Sequence, residues 1–213
     1  MPPGRKKSLT NDDFVDAAIA YADVNGLSSL TLKVVGDEVG LTQTAVYRYF
    51  RSKDELVGAM KESIIGQMLV QAPDASLGPR TRLTEWAMLA RSVFRQHPCL
   101  ADLVLVLSMP ADNLSAMTRR VVSDLEDLGI PGPLLPSTYQ ALEGLVVGSS
   151  MIDYSGMPHH LETRLERYRS LRHPAFDEIT RDTASIDAVN EAAFERTLSA
   201  VLDHFESLCL TSR

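Results

Sequence analysis

Gln43, Thr44, Tyr47 and Arg48 lie close together in the chain. At about 100° per residue they share one continuous arc of a helix, while Ala45 and Val46 fall on the other side. The types on that arc suit a nucleic acid. A Gln amide pairs bidentately with adenine, and a Thr contacts a base edge or a thymine methyl. A Tyr hydroxyl or a cationic side chain suits phosphate, which sets register and carries little sequence information. From Val39 to Lys53 there is no Asp or Glu, yet Arg48, Arg51 and Lys53 are present, in a chain of formal net charge −7. A carboxylate in that window would repel phosphate. The same pattern is compatible with two other readings: a plain packing motif in which Tyr47 and Tyr49 are core aromatics, or a helical scaffold whose helix-turn-helix contacts another protein.

The elements that must carry this arc are legible from caps and breakers. Thr10 or Asn11 caps a first helix with Asp12 and Asp13 in its first turn, and Asn25-Gly26 ends it. Thr31 caps a short second helix reaching about Val39. Gly40 supplies the turn, and Thr42 caps a third helix at once. Ser52 caps a fourth, with Glu55 at the capping-box position. Val35, Val39, Leu41 and Val46 supply the apolar contact between the second and third helices, and Gly36 lets their backbones approach. Lys33, at the start of the second helix, is placed to reach the same groove or its rim. Arg5, Lys6 and Lys7 form a basic arm ahead of the first helix.

Further helices are expected near 55–70, 79–96, 99–108, 112–128, 134–155 and 187–208, separated by Pro and Gly. The stretch 157–186 reads either as a polar helix over LETRLERYRSLR or as loop. Strand patterning is almost absent, so the fold class is all-α. The apolar runs are short and broken by charges, and no apolar stretch of signal-peptide type follows the basic start, so the chain reads as cytoplasmic. Cys99 and Cys209 are far apart and are expected to be reduced and buried. The chain has no G-x-S-x-G, no phosphate-binding glycine loop and no H-x-x-x-H spacing; His159-His160 with Glu162 does not make a metal set. Neither an enzyme nor a metal or cofactor protein is expected.

Residues 10–60 resemble the DNA-binding domain of the TetR/AcrR-type transcriptional regulators. The resemblance rests on Thr31, Val35, Gly40-Leu41-Thr42 and Val46-Tyr47-x-Tyr49-Phe50-x-Ser52-Lys53-x-x-Leu56. Gly36 departs from the Ala usual there. The resemblance implies a flexible arm over 1–9, a three-helix helix-turn-helix domain over 10–54, and a C-terminal helical bundle over 55–213 for ligand binding and dimerisation. It implies base or nearby backbone contacts from Gln43, Thr44 and Lys33. It implies phosphate contacts from Thr42, Tyr47, Tyr49 and Lys53, with Thr31 capping and touching a phosphate; Arg48 sits at a variable position. The implied partners are a double-stranded operator, a second copy of the chain and a small-molecule effector, in a repressor that the effector releases.

The apolar stripe of Phe194, Leu198, Val201, Leu202 and Phe205 is wide enough to pack on another helix, and with Leu142 and Val146 in the Gly- and Ser-rich segment 134–155 it looks like the pair of dimerisation helices that the resemblance implies. Ordinary intrachain core is its other reading. Trp86, Met88, Phe94, Leu103, Met109, Met117, Tyr139, Met151 and Tyr154 are candidates for a pocket lining that favours a largely apolar ligand.

Overall fold

The computed structural model describes residues 9–105, 112–154 and 160–210, and among them there are ten α-helices and no strand. The order is α1 (Asn11–Asn25), α2 (Leu32–Glu38), α3 (Gln43–Val46), α4 (Lys53–Val70), α5 (Pro79–Gln96), α6 (Leu100–Leu105), α7 (Asp112–Leu128), α8 (Leu135–Asp153), α9 (His160–Ser170) and α10 (Thr183–Leu210). Thr10 caps α1 in a reciprocal box with Asp13. Thr31, Thr42 and Ser52 cap α2, α3 and α4, each accepting a backbone N–H three residues on. Glu55 reaches one residue further than a capping box requires, accepting from the Arg51 N–H at 2.6 Å. Arg5 to Lys7 lie outside the described residues.

The α2–α3 turn depends on two glycines. Gly40 takes φ +72°, and the Leu41 N–H returns to the Gly36 carbonyl at 2.8 Å, closing the helix end. At Gly36 a Cβ would stand 2.9 Å from the Leu41 carbonyl oxygen and 3.1 Å from Val46 Cγ2, so the close approach expected there is real. Gly40 has open space around it, so its constraint is purely conformational. Gly40→Ala is expected to cost about 1 kcal/mol of stability, measured by urea denaturation; an unchanged midpoint would show that the turn tolerates an L-residue.

Two apolar cores share the molecule. The first gathers Phe14, Ala18, Val35, Val46, Phe50 and Met60 beneath the helix-turn-helix and continues into α5 and α6 through Phe94 and Leu103. The second joins α5, α7, α8 and α10 through Leu83, Trp86, Leu125, Leu142, Leu198 and Phe205. Ion pairs close the seams. Arg82 on α5 meets Asp124 at 2.6 Å and also Asp127, both on α7. The stretch 157–186, left open by its sequence, contributes α9 and a short 3-10 turn at Pro174–Phe176, and α10 begins earlier than its apolar stripe suggests. Cys99 is buried, whereas Cys209 is only half-buried against Gly129; both are free thiols. No helix among the described residues is long and apolar enough to cross a membrane.

Candidate nucleic-acid interface and internal cavity

α3 is α-helical only over Gln43–Val46 and then continues as tight turns, with the Arg48 N–H on the Ala45 carbonyl and the Tyr49 N–H on the Val46 carbonyl. Val46 is fully buried and pins this segment to the core. Thr42, Gln43, Thr44, Tyr47 and Arg48 are all exposed, with Tyr47 at 50%. Thr31 and Lys33 are exposed on the neighbouring α2. Lys33 Nζ holds Asp37 at 3.0 Å, but both side chains are well exposed, so a phosphate can compete for the ammonium.

Two residues expected at phosphates are turned inward. The Tyr49 ring packs 4.4 Å from the Phe14 ring, and its hydroxyl donates to the Leu9 carbonyl at 3.4 Å. Lys53 Nζ donates to the Leu27 carbonyl at 2.9 Å and is half-buried. The reason is the partners they meet: the Tyr49 ring packs on Phe14 of α1, and Lys53, the first residue of α4, reaches back to the turn after α1. These two side chains fasten the helix-turn-helix to α1 and to the turn after it. Arg51 was not singled out as a contact, yet it is exposed at the end of the acid-free window, and its charge and position were the signal.

Behind this surface lies a cavity of about 570 Å³. Of the expected lining residues, Trp86, Phe94, Met117, Tyr139 and Met151 border it. Leu103 does not; it is fully buried in the first core. Met88 packs against the second core instead. Tyr154 is also elsewhere, under the Arg91 guanidinium at 5.0 Å with its hydroxyl on Glu191. Met109 lies outside the described residues. The two charged lining residues, Lys61 on α4 and Glu143 on α8, are not among those expected, because a charge in a helical sequence reads as a solvated face. The Trp86 indole N–H donates to Asp124 at 3.1 Å, which fixes the ring at the cavity wall. Burial raises the Tyr139 hydroxyl pKa above its ordinary value, a hydrogen bond with Thr118 opposes this, and the Glu143 charge adds to it.

The expected dimer residues need correction. Leu142, Val146, Phe194, Leu198, Leu202 and Phe205 are all buried within one chain, and Val201 is half-buried. They join α8 and α10 to the second core, and Leu142 and Val146 also line the cavity. What α8 and α10 leave outward is a different stripe: Ile152 at 63% exposure and Val189 at 39%, with the exposed alanines Ala141, Ala193 and Ala200.

Residues 14–60 match the family model described as "Bacterial regulatory proteins, tetR family". The HTH-type transcriptional repressor Rv1353c of Mycobacterium tuberculosis is 26% identical, over 95% of this chain and 84% of its own length. The HTH-type transcriptional repressor DrrR1 of Streptomyces coeruleorubidus is 32% identical, over 69% of this chain and 54% of its own. Among solved structures, BioQ, known from Mycobacterium smegmatis and solved with its double-stranded DNA operator, superposes with a TM-score of 0.66 at 19% identity, over 94% of this chain and 99% of that one. The match over residues 14–60 makes the helix-turn-helix similar to that of the tetR family of bacterial regulatory proteins, and the chain as a whole shares the fold of BioQ.

Proposed function

We propose that the protein is a cytoplasmic, homodimeric transcriptional repressor that reads a palindromic operator and leaves it when a small, largely apolar molecule fills the cavity. The observation that carries this reading is the path of α4. The helix is capped by Ser52, shortly after the exposed polar arc. It then buries Leu56, Val57 and Met60 in the core beneath that arc, and it lines the cavity with Lys61, Ile65 and Met68. One helix therefore runs from the core beneath the arc to the cavity. A ligand that favours a different tilt of α4 changes the spacing of two recognition surfaces, and DNA must weaken that ligand's binding by the same factor. The names of two relatives as repressors, and the operator bound by a protein of this fold, support the DNA side of the reading. The role is regulated binding rather than turnover.

The direct test is selection of bound duplexes from a random pool, with Tyr47→Ala as the control. An enriched palindrome that the control loses supports a dimeric operator reader. No enrichment at low salt, with a folded dimer confirmed, would instead favour a helix-turn-helix that contacts protein.

A dimer through α8 and α10 would use the outward stripe. Ile152 borders a shallow groove between the two helices, with Leu145, Ser149, Ala193 and Thr197. A partner helix seated there would exclude water from these side chains, and a carboxylate inside the contact would be desolvated without a partner. Ile152→Glu is expected to weaken self-association by at least about tenfold, roughly 1.4 kcal/mol, with the monomer's helix content intact. Analytical ultracentrifugation reads the result; an unchanged association constant would place the interface elsewhere.

A further inference from the structure

The cavity wall is mostly apolar, and Glu143 is the one carboxylate among its described lining residues. Its position is built rather than incidental. Glu143 Oε1 accepts from the Tyr139 hydroxyl at 3.0 Å, and the same hydroxyl lies 3.1 Å from Thr118 Oγ1 on α7. A hydrogen-bonded chain from α7 thus orients the carboxylate on α8. Among the described residues no Lys, Arg or His forms an ion pair with Glu143, whose hydrogen bond to Tyr139 leaves Oε2 as an open acceptor.

An apolar ligand that covers this carboxylate strips its water and offers nothing in return. A ligand with an ammonium restores the lost hydrogen bonds with a charge-assisted one, which is about twice as strong as a neutral bond. We propose that the cavity selects apolar molecules bearing one basic nitrogen, with the ammonium on Glu143. This rests on the reading of the cavity as the effector site. Lys61 borders the same cavity from α4, so the competing preference is for an acid.

The test uses the full chain at pH 7 with decylamine, decanol and decanoate as probes. The apolar body is constant and only the head group changes. Trp86 is the single tryptophan and lines the cavity, so its emission reports occupancy without a label. Decylamine is expected to bind at least about tenfold more tightly than decanol. Glu143→Gln is expected to erase that advantage and leave decanol binding unchanged. Tyr139→Phe, which removes the orienting hydroxyl and keeps the ring, is expected to reduce the advantage in part. An amine preference that survives Glu143→Gln would overturn the assignment of Glu143. Decanoate binding tightest, with that preference lost in Lys61→Met, would overturn the ligand class and make the cavity an acid site. No change in Trp86 emission with any of the three probes would overturn the effector reading of the cavity itself.

Discussion

Arg91→Met is expected to lower the free energy of unfolding by about 3–5 kcal/mol. Arg91 is 2% exposed, on α5, and its guanidinium is the hub of four helices. Nη2 donates to Asp153 on α8 at 2.8 Å, and Nε donates to Glu191 on α10 at 3.1 Å. The planar group is also stacked 4.6 Å from the Phe194 ring and 5.0 Å from the Tyr154 ring. Asp153 in turn accepts from Arg164 on α9 at 2.7 Å. Methionine keeps much of the aliphatic volume, so the loss is electrostatic more than steric. It leaves Asp153, which is buried, with a reduced set of cations, and Glu191, at the part-exposed edge of the seam, short of one charge-assisted bond. A lysine there would keep the charge but lose the fork that reaches two helices at once.

The same hub gives a pH signature. Burial alone would raise the Glu191 pKa, but the hydrogen bonds from Tyr154 and Arg91 outweigh it and hold the carboxyl below its ordinary 4.5. A carboxylate whose folded pKa is depressed contributes stability that is complete above the unfolded value and lost as pH falls through the folded one. The native chain is therefore expected to lose this contribution below about pH 4.5. Arg91→Met should have lost part of it already at pH 7 and show a shallower decline in acid. Urea midpoints at pH 7 and pH 4 check both points. Equal midpoints for the two proteins at pH 7 would mean that the guanidinium does not hold the seam.

That seam was not legible in the sequence, and the reason is physical. Local signals act over three or four residues, which is why the Thr10, Thr31, Thr42 and Ser52 caps and the Gly40 turn could be read from the chain itself. α9 has no comparable signal. Among its residues Leu165 is buried, and the helix is tied down by Arg164, which reaches Asp153 and Asn190 across the fold. A helical wheel also cannot say who sits opposite. The stripe Phe194, Leu198, Leu202 and Phe205 has the same spacing whether it meets α8 of its own chain or a second copy, and here it meets its own. The roles that the resemblance implies for Tyr49 and Lys53 say nothing of their intrachain partners, Phe14 and the Leu9 carbonyl for one and the Leu27 carbonyl for the other, which are far off in the chain. Gln43, Thr44 and Tyr47 stand exposed together as their spacing indicates.

Gln43 is the sharpest test of what that surface reads. Gln43→Ala is expected to cost roughly 1–3 kcal/mol per half-site on the selected duplex and to relax one base position. Gln43 is exposed in the first turn of α3, and its side chain has no hydrogen-bond partner among the described residues. Its amide is therefore available to a base edge, and alanine, a better helix former, leaves the fold intact. Binding to random duplex should hardly change, because that affinity comes from phosphate neutralisation and counterion release. Tyr47→Phe gives the opposite pattern if its hydroxyl holds a phosphate: a similar small loss on every duplex, with the base preference kept. Fluorescence anisotropy on selected and random duplexes across a salt series separates the two. Equal losses on both duplexes for Gln43→Ala would exclude base readout by that amide and leave Thr44 and Lys33 as the exposed groups able to reach the base edges.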